Sequence, residues 1–171
     1  IEDDMALAII KFESGAMGHF AMSLATPGET TLTDKIYCSG GSIRLPGSRS
    51  GRPARVTKIF EQAPLTESQA LELVPRFQLD GLTAPFFQSQ RRVSSYDMVF
   101  EEIDRKLLGL ELWEFATAIL DGRDPEVTGK VGLDAVALVY AILESAKLGA
   151  PVSFEDVVED QVNSYRRETN G

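Results

Sequence analysis

A chain of 171 residues, 43% hydrophobic and 25% charged, is long enough to bury a core and too apolar for wholesale disorder. Its 26 acidic against 17 basic residues leave a formal charge of −9. That balance works against surfaces that track nucleic-acid phosphates or anionic membranes, since these need clustered Lys and Arg.

The chain opens at Ile1 with strand-like sequence almost at once, which reads as a piece of a longer protein; no signal peptide is visible at this start. Met5 to Phe12 forms the first expected strand, Glu13 to Ala16 a turn, and Met17 to Ala25 the second strand. Thr26-Pro27-Gly28-Glu29 closes the next turn, with proline and glycine at the two central positions that suit them. Thr31 to Tyr37, Ser42 to Leu45 and Arg55 to Phe60 complete five strands, the last two separated by a Gly/Ser/Pro-rich loop from Pro46 to Pro53. Arg44, Arg49, Arg52, Arg55 and Lys58 gather around that loop, but no aromatic residue is interleaved for base stacking, so no nucleic-acid partner is expected.

A short helix is expected over Thr66 to Val74, with Thr66 as N-cap, Gln69 three residues on, and Pro75 as its stop. Phe77 to Ser95 reads as irregular connection. From about Tyr96 to Leu120, apolar residues recur at helical spacing, and Gly122 followed by Pro125 ends the run. A second long helix spans about Lys130 to Leu148 and stops at Gly149 and Pro151. Val152 to Val158 is either a last strand or a helical turn, and the polar tail from Glu159 is expected to be loosely held. The domain expected is therefore residues 1–158, lacking its own N-terminal part, with 159–171 as tail.

The first strand carries Met5, Leu7 and Ile9 on one face and Ala6, Ala8, Ile10 and Phe12 on the other. Two apolar faces imply cover on both sides, one from the chain's own helices and one from a second subunit or domain. The fold class expected is α+β: an open, mainly antiparallel (mixed) sheet with helices on one face and the other face used for subunit association.

Chemistry is sparse. His19 is the single histidine and Cys38 the single cysteine, which excludes an internal disulfide and a cysteine-rich zinc site. Lone cysteine usage also fits a reducing, cytoplasmic setting. A nucleophile pair of Cys38 and His19 needs the two side chains within about 3 Å, and the turn between their strands leaves the register open by one residue. No metal site is expected from one histidine and one cysteine. Ser39-Gly40-Gly41-Ser42 leads into a strand, whereas a phosphate cradle needs a helix N-terminus next, and no G-x-G-x-x-G occurs. No catalytic and no cofactor-binding residues are assigned within the chain. No apolar run reaches the roughly 18 residues of a membrane span.

Four segments in register resemble the C-terminal domain of the Gfo/Idh/MocA oxidoreductases, the glucose–fructose oxidoreductase and inositol dehydrogenase family. Glu2-Asp3-Asp4-Met5-Ala6 through Phe12-Glu13-Ser14-Gly15-Ala16-Met17-Gly18 is similar to the family's first strand pair. Ile36 to Ile43 is similar to its "i-x-G-x-x-G-s-i" strand, with Cys38 where glycine is common. Glu111, Phe115, Ala118-Ile119, Gly122 and Pro125 to Gly129 match one helix motif, and Gly132 to Val152 the next.

The resemblance implies a parent with an N-terminal Rossmann domain that binds NAD or NADP and carries a lysine, and an Asp/His pair upstream of Ile1. This chain would then bind no cofactor itself. It would form one wall of the pocket for a sugar, cyclitol or related polyol and associate into a homo-oligomer, a dimer or higher, through its sheet face. Relatives contact substrate from the turn between the second and third strands, which points to Thr26, Glu29 and Thr30. An aromatic residue early in the long helix also contributes in relatives; Leu107-Leu108 stands here, a departure from the inositol-dehydrogenase pattern. Alternative readings are a non-catalytic binding or assembly module of the same fold, and an unrelated α+β interaction domain.

Overall fold

Short-range patterns in the sequence decide most of the secondary structure. A computed structural model describes residues 4–25, 33–45, 54–87, 91–92 and 98–169. The chain divides into two compact units, Ile1–Glu29 with Val127–Gly171, and Thr30–Glu126.

In the first unit, β1 (Met5–Lys11) and β2 (Met17–Ser23) pair antiparallel, with Met5 opposite Ser23, Ile9 opposite His19 and Lys11 opposite Met17. The connection is tight: Phe12 N donates to Ala16 O at 3.0 Å, Gly15 N donates to Phe12 O at 2.9 Å, and Gly15 takes φ +84°. The face bearing Met5, Leu7 and Ile9 is uncovered within this chain, at 59%, 60% and 67% exposure, and Met17 beside them is also exposed. On the other face Ala6, Ala8 and Ile10 are half-buried.

Helix α4 of this unit (Gly129–Leu148) starts at Thr128, whose hydroxyl accepts from Val131 N at 3.3 Å. It stops at Gly149, which takes the left-handed conformation at φ 63° and donates to Ser145 O. The two short segments that follow are α5 (Phe154–Val158) and α6 (Ser164–Thr169). The stretch Val152 to Val158, open between strand and helical turn, thus resolves as helical from Phe154 onward. The sequence did not signal an element over Ser164–Thr169 within the tail expected from Glu159. That segment is helical, and the Glu144 carboxylate on α4 accepts its amides. Such an anchor lies 21 residues away in sequence, outside the range of local patterns.

The second unit contains β3 (Asp34–Cys38), β4 (Gly41–Leu45) and β5 (Arg55–Lys58), antiparallel in the order β3-β4-β5. The α+β class with open antiparallel sheets holds. Among the described residues the strands form two sheets, of two and three strands, and every pairing is antiparallel.

The same unit carries α1 (Glu67–Leu73), α2 (Thr83–Phe87) and α3 (Phe100–Asp121). A capping box opens α1: Thr66 Oγ1 accepts from Gln69 N at 3.3 Å, and Gln69 Oε1 accepts from Thr66 N at 2.9 Å. α2 falls inside the stretch expected to be irregular. Asp80 creates it by accepting from Leu82 N at 2.7 Å, Thr83 N at 2.9 Å and Thr83 Oγ1 at 2.5 Å. Pro85 looked like a breaker there, but it sits in the first turn, where its missing N–H costs nothing.

α2 packs on α3 through Phe86, whose ring meets Trp113 edge-on at 6.1 Å and whose carbonyl accepts from Lys106 Nζ at 3.0 Å. Phe87 and Ile103 are buried in this unit, as is Ala118. α3 ends at Gly122, φ 64°, and Arg123 N reaches back to Ala118 O at 3.0 Å. Beyond the helix end, Arg123 and Glu126 are both tied to Glu114 on α3, whose carboxylate binds the Arg123 guanidinium at 2.7 Å and accepts from Glu126 N at 3.1 Å, which fixes the exit path of the chain.

Candidate functional site

The residues expected to meet substrate, Thr26, Glu29 and Thr30, lie outside the described residues. Their flanks are described. On one side β2 ends at Ser23, whose hydroxyl accepts from Ala25 N at 3.2 Å. On the other, Thr33 Oγ1 accepts from the Arg44 guanidinium at 3.3 Å just before β3. Leu107 and Leu108, which stand where relatives place an aromatic, fall in the second turn and onward of α3, with Leu108 partly exposed.

His19 and Cys38 do not share a sheet. His19 is exposed on β2 opposite Ile9, and Cys38 is exposed at the last position of β3 opposite Gly41. The sequence left their register open because it treated β2 and β3 as neighbours; β2 pairs with β1, and β3 pairs with β4.

The glycine pair after Cys38 has a different purpose from phosphate binding. Gly41 takes φ +150°, and a Cβ there would lie 2.1 Å from the Thr57 carbonyl oxygen and 3.0 Å from Lys58 Cα. Glycine is needed because β5 approaches the β4 backbone that closely. Ile59 N donates to Gly40 O at 2.9 Å, so the turn is tied to β5, and a strand follows it instead of a helix N-terminus. These residues do not fit the pyrophosphate of a nicotinamide dinucleotide, which needs converging free amides at a helix start.

Among the described residues, three carboxyl groups are held below their ordinary values by hydrogen bonds. The Thr83 hydroxyl and then the Thr83 amide lower Asp80. The Arg123 guanidinium, with help from the Glu126 amide, lowers Glu114. The Ser153 hydroxyl lowers Glu155, with a bond of 2.7 Å. All three are at caps and chain exits, and depression keeps them ionised, the opposite of the tuning that makes a carboxyl a general acid near neutral pH. Among the described residues no group of three His, Cys, Asp or Glu side chains is placed to hold a metal ion. No helix of the described residues is long and apolar enough to cross a membrane.

Two features escaped the sequence reading. An open depression is lined by Ser68, Leu71, Glu72, Pro75 and Arg91, and the Arg91 guanidinium donates to Leu71 O across it at 3.1 Å. Nothing local signals that contact, because Arg91 stands 20 residues from Leu71. Glu144 is the other: it is fully buried, although acidic residues seldom are. The sequence pointed the other way: Glu144 stands seven residues after Ala137, on the side of α4 away from the apolar run of Val131, Ala135, Val139 and Ile142, yet that is the side the structure buries.

Comparison with known sequences adds to this geometry. The family model described as "Oxidoreductase family, C-terminal alpha/beta domain" matches residues 1–154. No curated protein and no solved structure matches the chain. The matched span runs from ahead of β1 to the first residue of α5, taking in both sheets and both long helices. On that coverage, the chain belongs to the Gfo/Idh/MocA oxidoreductase family, as its C-terminal alpha/beta domain.

Proposed function

We propose that this domain forms the substrate-side wall and the subunit contact of an NAD(P)-dependent oxidoreductase acting on a hydroxyl of a sugar, cyclitol or related polyol. The observation that carries the reading is the family match over residues 1–154. A nicotinamide cofactor, bound by a Rossmann domain elsewhere in the parent protein, would supply the hydride chemistry.

This chain's own residues would bind and orient. Thr26 and Thr30 each bring a hydroxyl that donates and accepts, and Glu29 brings a carboxylate that accepts, a set suited to the hydroxyls of a polyol. Such contacts hold the reacting carbon near the transferring hydride, where reacting atoms must come within about 3–3.5 Å. The uncovered hairpin face of Met5, Leu7, Ile9 and Met17 supports the subunit contact, since an apolar stripe of this kind gains from removal from water. Association of two copies over it would leave the helices to complete each pocket.

The test uses the full-length gene product, assayed for NAD- and NADP-linked oxidation of a panel of sugars and cyclitols. Turnover is expected there and absent from this domain alone. Thr26→Ala, Glu29→Gln and Thr30→Ala should each raise KM for the polyol about tenfold while cofactor affinity is unchanged. A full-length protein that binds no nicotinamide nucleotide would sink the enzyme reading in favour of a non-catalytic assembly module. Light scattering checks the subunit contact. Leu7→Lys with Ile9→Lys should convert an oligomer to a monomer, and a wild-type monomer at high micromolar concentration would refute it.

A further inference from the structure

α4 presents Tyr140, Glu144 and Lys147 at spacings of four and three residues, so the three share one stripe of the helix. Each meets the C-terminal helix α6. The Arg166 guanidinium carbon lies 5.5 Å from the centre of the Tyr140 ring. The buried Glu144 carboxylate accepts from Tyr165 N at 2.9 Å and Arg166 N at 3.4 Å. Lys147 pairs with Glu168. From the turn before α6, Asp160 Oδ1 accepts from the Arg166 guanidinium at 2.5 Å and from the Asn163 side-chain amide at 3.1 Å.

These contacts are almost wholly polar. α6 contains no fully buried residue, and only Tyr165 and Arg166 along it are half-buried. A carboxylate taken fully out of water carries a large desolvation penalty, and here the two amides that offset it both come from α6. When α6 leaves, the carboxylate and both amides return to water together, and water replaces most of what is lost. The Arg166 Nε, buried without a hydrogen-bond partner, also gains one on release. By contrast, α4 is held by its own ladder over 20 residues and by a cap at each end.

We propose that Ser164–Thr169 is a releasable strap, clasped by the Tyr140–Glu144–Lys147 stripe, that detaches as one unit and uncovers that stripe while α4 stays folded. Opening of this kind belongs to the low-stability end of a native structure, below global unfolding.

Amide hydrogen exchange read by NMR on the whole chain tests it. In the wild type, the amides of Tyr165, Arg166, Arg167 and Glu168 should exchange as a group, about tenfold or more faster than those of Ala141 to Leu143 in α4. Glu144→Ala should speed the strap amides by about a further tenfold and leave the α4 amides unchanged. Glu144→Gln, which keeps one carbonyl acceptor, should fall between. Lys147→Glu should also speed the strap, and adding Glu168→Lys should restore it. Arg166→Ala acts from the strap side without altering α4 and should loosen the strap in the same way. The proposal is overturned if the strap exchanges together with α4, if Glu144→Ala unfolds α4 as well, or if Arg166→Ala leaves strap exchange unchanged.

Discussion

Replacing Gly41 by alanine would set a Cβ 2.1 Å from the Thr57 carbonyl oxygen and 3.0 Å from Lys58 Cα. Both obstacles are backbone, so no side-chain rotation relieves them. β4 and β5 must part at the pairs Gly41↔Lys58 and Ser42↔Thr57. Overpacking a close contact costs about 1–3 kcal/mol. Holding alanine at φ +150° adds about 1–3 kcal/mol, because that region of backbone space is nearly glycine's alone. Taking roughly 3 kcal/mol for the sum, a chain of this size should lose roughly 6–12 °C in Tm. The neighbouring Gly40 is the internal control, since a Cβ there meets nothing within 4 Å. Gly40→Ala should stay within about 0.5 kcal/mol of wild type. Urea denaturation and thermal melts of the two variants, side by side, measure the contrast. If Gly41→Ala matched wild type to within about 0.5 kcal/mol, the close approach of β5 as the reason for glycine at this position would be refuted.

Thr66→Ala removes the hydroxyl half of the α1 capping box while leaving the Thr66 backbone N–H to Gln69 Oε1, and should cost about 1 kcal/mol in urea denaturation, whereas Thr66→Ser should cost little. Gly122→Ala meets no atom within 4 Å, so its expected loss of about 1 kcal/mol is conformational alone, and Gly122→Asn should recover part of it. Asp80 has its folded pKa lowered by the Thr83 hydroxyl and amide, so its contribution is complete above the ordinary aspartate pKa. That contribution should disappear as pH falls from the ordinary value through the depressed one. The stability gap between wild type and Asp80→Asn, followed by urea midpoints across acid pH, should narrow in that window; a gap that widened on acidification would contradict the assignment.

Local chemistry was legible in the residues. Thr66 with Gln69, Gly122 before Pro125, and Gly149 before Pro151 act within one helical turn, so their meaning survives without knowledge of the fold. The runs that became β1 to β5 were legible for the same reason, as was the family that the four segments resemble. α2 is the local feature that was misjudged: Asp80 and Thr83 form a cap, but Gly81 between them and Pro85 beyond suggested a loop. The candidate contacts Thr26, Glu29 and Thr30 came from the resemblance, and they fall outside the described residues.

Tertiary structure decided everything that joins distant residues. Pattern gave β2 and β3 as successive strands, while backbone pairing among the described residues put them in separate sheets, so the register that sequence reasoning left open between His19 and Cys38 does not arise. Composition marked Gly41 as a turn residue, while the nearness of Thr57 made it indispensable. The polar tail gave no sign that Glu144, 21 residues upstream of Tyr165, accepts its amides. In each case the deciding free energy comes from a partner far along the chain, and such a partner leaves no mark on the sequence within reach of a turn or a cap.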